Sequence, residues 1–363
     1  MDSDKKTVVT VTGIRPDFIR MSEVFRALDE APWCNHVLIH TGQHYDRLLS
    51  SVFFEDLEIR APDYNLAIGA HGKSHYQQQA DLGPAIIELL QNENVDPDII
   101  LFLGDSNSVL ASIPLRKEGY KIGHIEAGMR SYDERMLEEI NRKMCDHVSN
   151  VLFVYHENYR HKALREGIDP NRIFVVGNTV VEPLQKIISQ LDQDLSDFSK
   201  RHILLDIHRP ENFKDKDRLE AIVNYANWCS EKTGDPIIML NFGRTIQAMS
   251  DFKIPTGSIE IVDLMGYRDF VRCMQQSVFI ISDSGTAQEE PALLGVPVVV
   301  PRDFTERPES VENKCSFMLK LNNKESYEDS LRWARTMPFS GKIEWLGTGD
   351  TSTQIMSILK EVL

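Results

Sequence analysis

The sequence predicts an α/β protein with two doubly wound domains, each built on a parallel sheet that helices cover on both faces. Short apolar runs rich in Val, Ile and Leu recur along the chain, as expected for strands buried on both sides. Stretches with helical periodicity separate these runs, which indicates right-handed strand–helix–strand crossovers. A chain of 363 residues is also too long for one typical core, so two domains are expected.

The predicted strands form two series of about five or six. The first series comprises Thr7–Thr12, His36–His40, Asp98–Leu103, Lys121–Ile125, Val151–Tyr155 and Arg172–Val176. The second comprises His202–Ile207, Pro236–Leu240, Ile259–Val262, Val278–Ser282 and Pro297–Val300. Helical periodicity is clear at Ile19–Leu28, Leu137–Ser149 and Leu219–Lys232, and a last helix at Thr351–Leu363 follows Thr348 and Asp350, either of which can cap it.

The joint between the two series is the polar stretch Gly177–Lys200. We therefore place an N-terminal Rossmann-like domain at residues 1–180 and a C-terminal one at residues 181–350. The last helix, 351–363, can pack back on the first domain.

Composition argues against several function classes. The 40 basic and 55 acidic residues give a net charge of −15, which disfavours binding to nucleic acid or to anionic membranes. We find no apolar run long enough to span a membrane and no signal peptide pattern. Five scattered cysteines without a CxxC pair fit a reduced, cytoplasmic protein without a structural metal. The GxGxxG and GxxxxGK[ST] nucleotide-binding motifs are also missing.

Charged residues stand at, or shortly after, the ends of predicted strands. They are Arg15, Asp105, Glu126, Glu138, His208 and the turn Asp283-Ser284-Gly285. Because the carboxyl ends of parallel strands line one crevice, we expect a proton-transfer site beside a bound anion. Plainer interpretations exist for each: Asp105 as a helix cap, Glu138 with Arg142 as a solvated salt-bridged face, and His208 as a structural histidine.

The chemistry of these residues favours the functional interpretation. Glu126 leaves a buried strand, where partial desolvation suits a carboxylate to act as a base, and an imidazole such as that of His208 exchanges protons near neutral pH. Arg15 lies at a helix N-terminus, where a guanidinium can grip phosphate.

The second series carries a matching set of groups for a nucleotide. Ser284, Gly285 and Thr286 can aim N–H and hydroxyl groups at a phosphate at the start of a helix. Glu290, further along that helix, can hold the two hydroxyls of a ribose, and Arg307 adds a second cation. We therefore expect the two domains to bind a nucleoside diphosphate between them, with the acidic residues on one side. Such an arrangement indicates an enzyme that acts on a nucleotide sugar.

In motif order, the chain resembles the non-hydrolysing UDP-N-acetylglucosamine 2-epimerases over nearly its whole length. The segments that carry the resemblance are Gly13–Asp17, Thr41–His44, Gly104–Asp105, Glu126–Arg130, Glu138–Arg142, Gly177–Thr179, His208–Arg209, Asp283–Glu290 and Glu306–Glu309. Each segment is weak alone, but nine in order are specific.

The resemblance implies a GT-B-like fold with the UDP-sugar in the cleft between the two domains. It also implies that the protein inverts C2 of UDP-GlcNAc, or of a modified UDP-HexNAc, by eliminating UDP to a 2-acetamidoglucal and adding it back. No cofactor is implied. A cytoplasmic homodimer that supplies surface polysaccharide synthesis is the expected setting.

Site residues follow by match to the family. The catalytic groups are Asp105, Glu126, Glu138 and His208. The UDP-sugar-binding residues are Arg15, Arg20, His44, Arg142, Phe270, Ser284, Gly285, Thr286, Glu290 and Arg307. Phe270 matches an aromatic residue near the uracil, and Arg20 matches a basic position that is commonly lysine.

Four departures from the common pattern leave the exact sugar and allosteric activation by UDP-GlcNAc open. The stretch between Glu126 and the paired glutamates is two residues shorter than usual, and Leu137 replaces a usual proline. In both features the chain is more similar to the subgroup that includes UDP-2,3-diacetamido-glucuronate and 6-deoxy UDP-HexNAc 2-epimerases. Asp46 stands where activated members commonly carry glutamine, and the loop 241–245 lacks an expected histidine.

Three further functions remain open from sequence. A hydrolysing 2-epimerase would release UDP and free ManNAc, and a GT-B glycosyltransferase would need an acceptor. A UDP-sugar sensor would bind the nucleotide and catalyse nothing, since fold alone does not fix function.

Overall fold

The computed structural model describes residues 5–42, 54, 56–69, 75–191, 201–336 and 341–363. The chain divides into two compact units. The first comprises Met1–Gln185 with Leu346–Leu363, and the second comprises Lys186–Trp345.

The first unit is built on a seven-stranded parallel sheet in the order β3-β2-β1-β4-β5-β6-β7. Its strands are β1 (Lys6–Thr12), β2 (Cys34–His40), β3 (Tyr64–Asn65), β4 (Ile99–Leu103), β5 (Ile122–Ala127), β6 (Val151–Val154) and β7 (Ile173–Val175). All residues of β4, β5 and β6 are buried, which accounts for the unbroken apolar runs of β4 and β6. The strand order reverses between β1 and β4, so the loops that follow these two strands leave toward opposite faces.

Helices cover this sheet. They are α1 (Arg15–Glu30), α2 (His75–Asn92), α3 (Ser112–Lys117), α4 (Glu138–Val148), α5 (Glu157–Arg165) and α6 (Val181–Leu191). One core packs Ile100 and Phe102 of β4 against Leu82, Ile86 and Leu90 of α2. The leucine and isoleucine spacing of four residues places these α2 side chains on one helical face.

The second unit repeats the architecture with a six-stranded parallel sheet in the order β10-β9-β8-β11-β12-β13. Its strands are β8 (His202–Asp206), β9 (Ile237–Leu240), β10 (Ile259–Val262), β11 (Ser277–Ser282), β12 (Val298–Val300) and β13 (Ser316–Met318). Its helices are α7 (Pro210–Phe213), α8 (Lys216–Thr233), α9 (Gly243–Asp251), α10 (Tyr267–Gln275), α11 (Glu290–Leu293), α12 (Pro308–Glu312) and α13 (Lys324–Ala334). Here the order reverses between β8 and β11.

The last helix, α14 (Thr351–Val362), belongs to the first unit and packs against α1. Its apolar residues Ile355 and Leu359 are fully buried, and Ser352 donates a hydrogen bond from its backbone N–H to Glu182 of α6 (2.8 Å). The end of the chain therefore completes the N-terminal unit.

The predicted fold class of two parallel α/β domains is confirmed, and each of the eleven predicted strands overlaps an observed one. Two strands were not predicted, β3 and β13, because two and three residues are too few to form a pattern. The predicted side-chain cap of α14 is wrong in detail: Asp350 occupies the N-cap position, but its carboxylate accepts hydrogen bonds from Thr348 and Gln354 side chains.

Candidate active site

The turn after β1 is organised by a buried carboxylate. Asp17 accepts hydrogen bonds from the backbone N–H groups of Gly13 (2.8 Å) and Ile14 (3.1 Å), and it pairs with Arg20 one turn along α1 (3.3 Å). Burial raises the pKa of Asp17 to about 6, although Arg20 and the two N–H groups oppose this shift. Asp17 is therefore a buried carboxylate that supports the turn, while Arg15 stands half-buried at the first residue of α1.

Arg20 holds Glu126 in the interior of the first unit. Its guanidinium pairs with the Glu126 carboxylate, and both side chains are almost completely buried. The Tyr155 hydroxyl also donates to Glu126 (3.4 Å) and is hydrogen bonded to Thr179 (2.5 Å). The pKa of Arg20 is raised, because Glu126, Tyr155 and Asp17 outweigh the burial that acts against the charge. The carboxylate predicted as a base is thus held by a permanent cation.

Glu126 has an unusual backbone conformation. Its φ is +68°, in the left-handed region, and the pairing of β5 with β6 shifts register at this residue. A non-glycine residue with this φ inside a strand is uncommon, and such strain persists only where the surroundings hold it. The bulge turns the Glu126 side chain out of the regular alternation of β5.

Asp105, two residues after the end of β4, contacts Arg142 of α4 (2.6 Å). Arg142 is buried, and it also pairs with Glu139 one turn earlier (2.7 Å). Asn141 donates to the Asp105 carbonyl (2.8 Å). The alternative of Asp105 as a helix cap is wrong, because the N-cap of the following 3-10 helix is Ser106. The Asp105 side chain is instead 19 % exposed, and its carboxylate lies beside the buried guanidinium of Arg142.

Glu138 and Glu139, the two glutamates at the start of α4, have different surroundings. Glu139 is buried, and its carboxylate accepts hydrogen bonds from the backbone of Ser131 (2.9 Å) and Tyr132 (3.1 Å) as well as from Arg142. Glu138 is half-buried at the first helical residue. The structure therefore assigns the support of Arg142 to Glu139 and leaves Glu138 as the more accessible carboxylate.

The second unit presents His208 just beyond β8. Its Nδ1 is hydrogen bonded to Asp206 (3.0 Å) and its ring packs on Phe242, with ring centroids 4.8 Å apart. Asp206 is buried and also accepts from the Ser282 hydroxyl (2.7 Å). Burial acts to lower the pKa of His208, but the carboxylates of Asp206 and Asp283 raise it above its ordinary value. Within the described parts of the chain, the ring nitrogen Nε2 has no hydrogen-bond partner, so it is the atom available for proton transfer.

Asp283 fixes the turn that carries His208. Its carboxylate accepts from the backbone N–H groups of His208 (3.0 Å) and Arg209 (3.0 Å) and from the Asn212 amide (2.9 Å). These bonds join the loops after β8 and β11, the two strands where the order of the sheet reverses.

The Ser284–Thr286 turn lies beside Arg307. The Ser284 and Thr286 hydroxyls are 3.2 Å apart, and a side chain at Gly285 would place its Cβ 2.5 Å from the Arg307 guanidinium. Arg307 is buried and held by Glu289 (2.8 Å) and Glu306 (2.7 Å). A side chain at position 285 would therefore have to displace the buried Arg307, whereas glycine leaves the backbone of this turn open to close approach.

Glu290 begins α11 and is buried. Its carboxylate accepts a hydrogen bond from the Tyr267 hydroxyl of α10 (2.7 Å). Phe270 is half-buried one turn further along α10. The fold thus places an acid and an aromatic ring on two short helices that are joined by the Tyr267–Glu290 hydrogen bond. His44, a further predicted binding residue, lies outside the described residues.

Two absences apply to the described ranges. Within them, no group of three or more His, Cys, Asp and Glu side chains is placed to hold a metal ion. Nor does any helix within those ranges combine the length and apolar character needed to cross a membrane.

Comparison with known proteins decides the family. The profile of the family described as UDP-N-acetylglucosamine 2-epimerase matches residues 26–360. The chain belongs to this family. A UDP-N-acetylglucosamine 2-epimerase of Methanocaldococcus jannaschii is 35 % identical over 96 % of this chain and 97 % of its own length. A UDP-2,3-diacetamido-2,3-dideoxy-D-glucuronate 2-epimerase of Pseudomonas aeruginosa is 33 % identical over 84 % and 85 %.

Solved structures of the epimerase family share the fold. The crystal structure of the Methanocaldococcus jannaschii enzyme in complex with UDP-GlcNAc and UDP superposes with a TM-score of 0.88, at 32 % identity, over 98 % of this chain and 99 % of that one. A kitacinnamycin glycosyltransferase has a TM-score of 0.64 at 12 % identity over 99 % of both chains, a likeness of fold alone. The expected GT-B-like fold of two parallel-sheet domains is confirmed.

The sequence did not predict three residues that support the candidate site. Asp206 orients His208, Glu139 holds Arg142, and Tyr155 contacts Glu126. A signal existed only for Asp206, since residues two apart in an extended chain point to the same side. The contact of Tyr155 with Glu126 joins residues 29 apart, which no local pattern reveals.

Proposed function

We propose that this protein is a UDP-sugar 2-epimerase that interconverts UDP-GlcNAc, or a related UDP-HexNAc, and its manno epimer. One observation carries the proposal: carboxylates at the ends of two adjacent strands, Asp105 and Glu126, are each held by an arginine of a neighbouring helix. Each arginine holds its carboxylate in place and offsets the negative charge of that carboxylate. An acid–base group held in this way can transfer a proton next to an anionic substrate.

The proposed reaction has two halves. A carboxylate of the first unit removes the C2 proton, the C–H electrons form the C1=C2 double bond, and the C1–O bond breaks with its electron pair leaving on UDP. The phosphate oxygen then adds back to C1, and an acid delivers a proton to the opposite face of C2. We assign proton transfer at C2 to Asp105, Glu126 and Glu138, which the match to the family supports.

The second unit is proposed to hold UDP. Ser284, Gly285 and Thr286 with Arg307 would bind the diphosphate, Glu290 the ribose and Phe270 the base. His208, whose pKa is raised by Asp206 and Asp283 against the effect of burial, would carry a positive charge near the departing diphosphate and stabilise it. This assignment needs no metal to neutralise the leaving group.

The first unit is proposed to complete the binding site. Arg15, Arg20, His44 and Arg142 match binding positions of the family. With Arg20 and Arg142 already paired to carboxylates, we assign them to setting the charge and position of Glu126 and Asp105, and Arg15 to direct contact with phosphate. We further propose that the chain forms domains at 1–180 and 181–350, with helix 351–363 on the first.

Product analysis tests the function. Purified protein is incubated with UDP-GlcNAc, and the products are separated by anion-exchange chromatography and identified by mass spectrometry and NMR. We expect UDP-ManNAc, approached to the same ratio from either epimer. Free UDP with ManNAc would indicate a hydrolysing enzyme, and an intact unchanged nucleotide sugar would contradict activity on UDP-GlcNAc.

A second candidate substrate is UDP-2,3-diacetamido-glucuronate or a 6-deoxy UDP-HexNAc. The relative of Pseudomonas aeruginosa, and the short Asp133–Glu138 stretch with Leu137 in place of proline, favour it. The same assay with these sugars separates the two candidates through the ratio of kcat/KM values. Turnover only in the presence of an added acceptor, with transfer of the sugar, would support a glycosyltransferase instead.

We propose a homodimer in the cytoplasm, supplying surface polysaccharide synthesis. The exposed apolar residues Ile140 and Met144 of α4, together with Leu137 at its N-cap, lie three and four apart and form one apolar stripe, which supports self-association. Five free, buried cysteines fit a reducing compartment. Light scattering should give a dimer mass for the wild type and a lower mass for Ile140→Glu. An unchanged mass would argue against this face.

A further inference from the structure

A buried histidine outside the assigned site lies between the two predicted catalytic carboxylates in sequence. His124 is on β5, two residues before Glu126, and is completely buried. Its Nδ1 is hydrogen bonded to the carboxylate of Asp146 on α4 (2.6 Å), and its Nε2 to the carbonyl oxygen of Gly104 (2.7 Å). Gly104 directly precedes Asp105.

Both of these partners are acceptors. A carbonyl oxygen cannot donate, so Nε2 of His124 must carry a hydrogen. The other oxygen of Asp146 receives the Gly128 N–H (3.0 Å) and lies 2.8 Å from the Arg130 guanidinium, which keeps this carboxylate ionised. Nδ1 must therefore carry a hydrogen too. The hydrogen bonds together require a doubly protonated, positively charged imidazole.

The charges around His124 balance with that assignment. Arg130, also buried, pairs with Asp146 and forms two hydrogen bonds to Glu166 (2.9 and 2.6 Å). Two cations, His124 and Arg130, thus face two anions, Asp146 and Glu166. A neutral His124 would leave the cluster with excess negative charge in the interior and would lose one of its two hydrogen bonds.

The hydrogen bonds of Asp146 connect the residues on either side of Glu126, whose backbone is strained. Asp146 binds His124 through one oxygen and the Gly128 backbone through the other, so its carboxylate bridges the positions two before and two after Glu126. Gly128 has a φ of +77°, and a Cβ there would lie 2.6 Å from the Tyr159 carbonyl. This bridge holds the bulge in which Glu126 has a positive φ.

We propose that His124 is a positioning residue that stays doubly protonated in the folded protein and clamps the two turns carrying Asp105 and Glu126. The kinetic part of this inference rests on the proposed epimerase function, whereas its structural part does not. Burial acts against the charge, but the Cys145 and Asp146 side chains of α4 raise the pKa of His124 well above its ordinary value. The other charged groups of the cluster, Arg130 and Glu166, carry opposite charges, so their effects on the pKa of His124 largely cancel.

The charge is tested by NMR on protein with ¹⁵N-labelled histidine side chains. In a titration from pH 6 to about pH 8.5, we expect both ring nitrogens of His124 to remain protonated beyond the ordinary histidine pKa of about 6.5. In Asp146→Asn the His124 ring should become neutral within that range. A neutral His124 in the wild type at pH 7 would overturn the proposal.

The positioning role is tested with His124→Gln, which can donate to only one of the two acceptors while its oxygen faces the other. We expect backbone amide shifts at Asp105, Glu126 and Gly128 to change, and kcat to fall at least 30-fold while KM changes less than threefold. The control His161→Gln should behave as wild type. A variant with unchanged shifts and kcat would overturn the role. If His124→Gln does not fold, the amide shifts of Asp146→Asn decide in its place.

The two failures can be told apart. A wild-type protein that epimerises no UDP-sugar would refute the proposed function, and the histidine spectra and amide shifts would still decide the state and role of His124. An active wild type with a neutral His124 would refute only this inference.

Discussion

At the scale of single residues, three of the four predicted catalytic groups are each paired with a partner of the opposite acid–base type. Asp105 is held by Arg142, Glu126 by Arg20, and in the second unit His208 by Asp206. Pairing fixes where each group lies, and the partner also decides which protonation state is favoured. Substitution of either member of a pair should therefore change the chemistry before it changes the fold.

Replacing Asp105 with asparagine should lower turnover by about 10²–10⁴-fold, the usual contribution of a positioned acid–base group. Arg142 keeps its partner Glu139, so the variant should fold and bind UDP with an affinity near that of the wild type. Initial rates and calorimetric UDP binding measure the two effects. The exposed Glu134→Gln serves as control, and a kcat within threefold of wild type for Asp105→Asn would contradict the assignment.

Replacing Asp206 with asparagine should shift the alkaline limb of kcat to lower pH. The pKa of His208 is raised because Asp206 and Asp283 outweigh burial, so protonated His208 persists to higher pH than an ordinary histidine. Without the Asp206 charge the imidazole loses its proton earlier, and activity that needs the charged form is lost earlier. The exposed Glu260→Gln should leave the profile unchanged. Identical profiles for wild type and Asp206→Asn would show that His208 does not act in its charged form.

Asp17 gives a prediction for stability rather than activity. Its folded pKa of about 6 exceeds the unfolded value of 3.8, mainly because of burial, so its contribution to stability is complete below pH 3.8 and is lost as pH rises through 6. Asp17→Asn removes this dependence. The unfolding free energy of the variant relative to wild type should therefore rise by up to about 3 kcal/mol between pH 4 and 7. A difference that is constant or falls over this range, measured by urea unfolding, would contradict the raised pKa.

At the scale of elements, strand ends and the turns after them position the site. The sequence predicted this level well: apolar runs end close to Asp105, Glu126, His208 and Asp283, because strands buried on both faces are mostly apolar, although Glu126 still lies within β5. It did not predict the bulge at Glu126, since a register shift depends on the partner strand β6. Nor could it tell which of Glu138 and Glu139 supports Arg142, because that depends on how α4 is rotated against the sheet.

The turn after β11 should not accept a side chain. Gly285→Ala would place a Cβ 2.5 Å from the Arg307 guanidinium and 2.6 Å from the Glu306 carboxylate, both of which are buried. We expect UDP binding to weaken at least tenfold, because Arg307 must move and the diphosphate loses close contact with the backbone. Gly243→Ala is a matched control, since a Cβ there meets open space. Equal UDP dissociation constants for wild type and Gly285→Ala, measured by calorimetry, would argue against a diphosphate at this turn.

At the scale of the whole molecule, the chain forms two parallel-sheet units, and each carries part of the predicted set of site residues: Asp105, Glu126 and Glu138 lie in the first, and His208, Glu290 and Arg307 lie in the second. Alternating strands and helices were enough to predict both units and their order. That the last helix belongs to the first unit was only an option from sequence, because its partner α1 begins more than 300 residues earlier, at Arg15.

The last helix should be needed for the stability of the first unit. Leu359 is fully buried, in the helix that packs on α1, so Leu359→Ala should cost about 2–5 kcal/mol of unfolding free energy. Glu361→Ala, an exposed position on the same helix, should change stability by less than about 0.5 kcal/mol. Denaturant unfolding of both variants measures this. A similar small effect for the two would mean that the helix is not part of the folded first unit.

The most direct test of the central claim is the fate of the hydrogen at C2. Wild-type protein and UDP-GlcNAc, or the diacetamido-glucuronate analogue if UDP-GlcNAc does not react, are followed by proton NMR in deuterated buffer. We predict that the manno epimer appears with deuterium at C2 and that Asp105→Asn and Glu126→Gln abolish both the exchange and the new epimer. Formation of the epimer with retention of the original C2 hydrogen would contradict proton transfer by these carboxylates, and normal exchange in both variants would contradict their assignment.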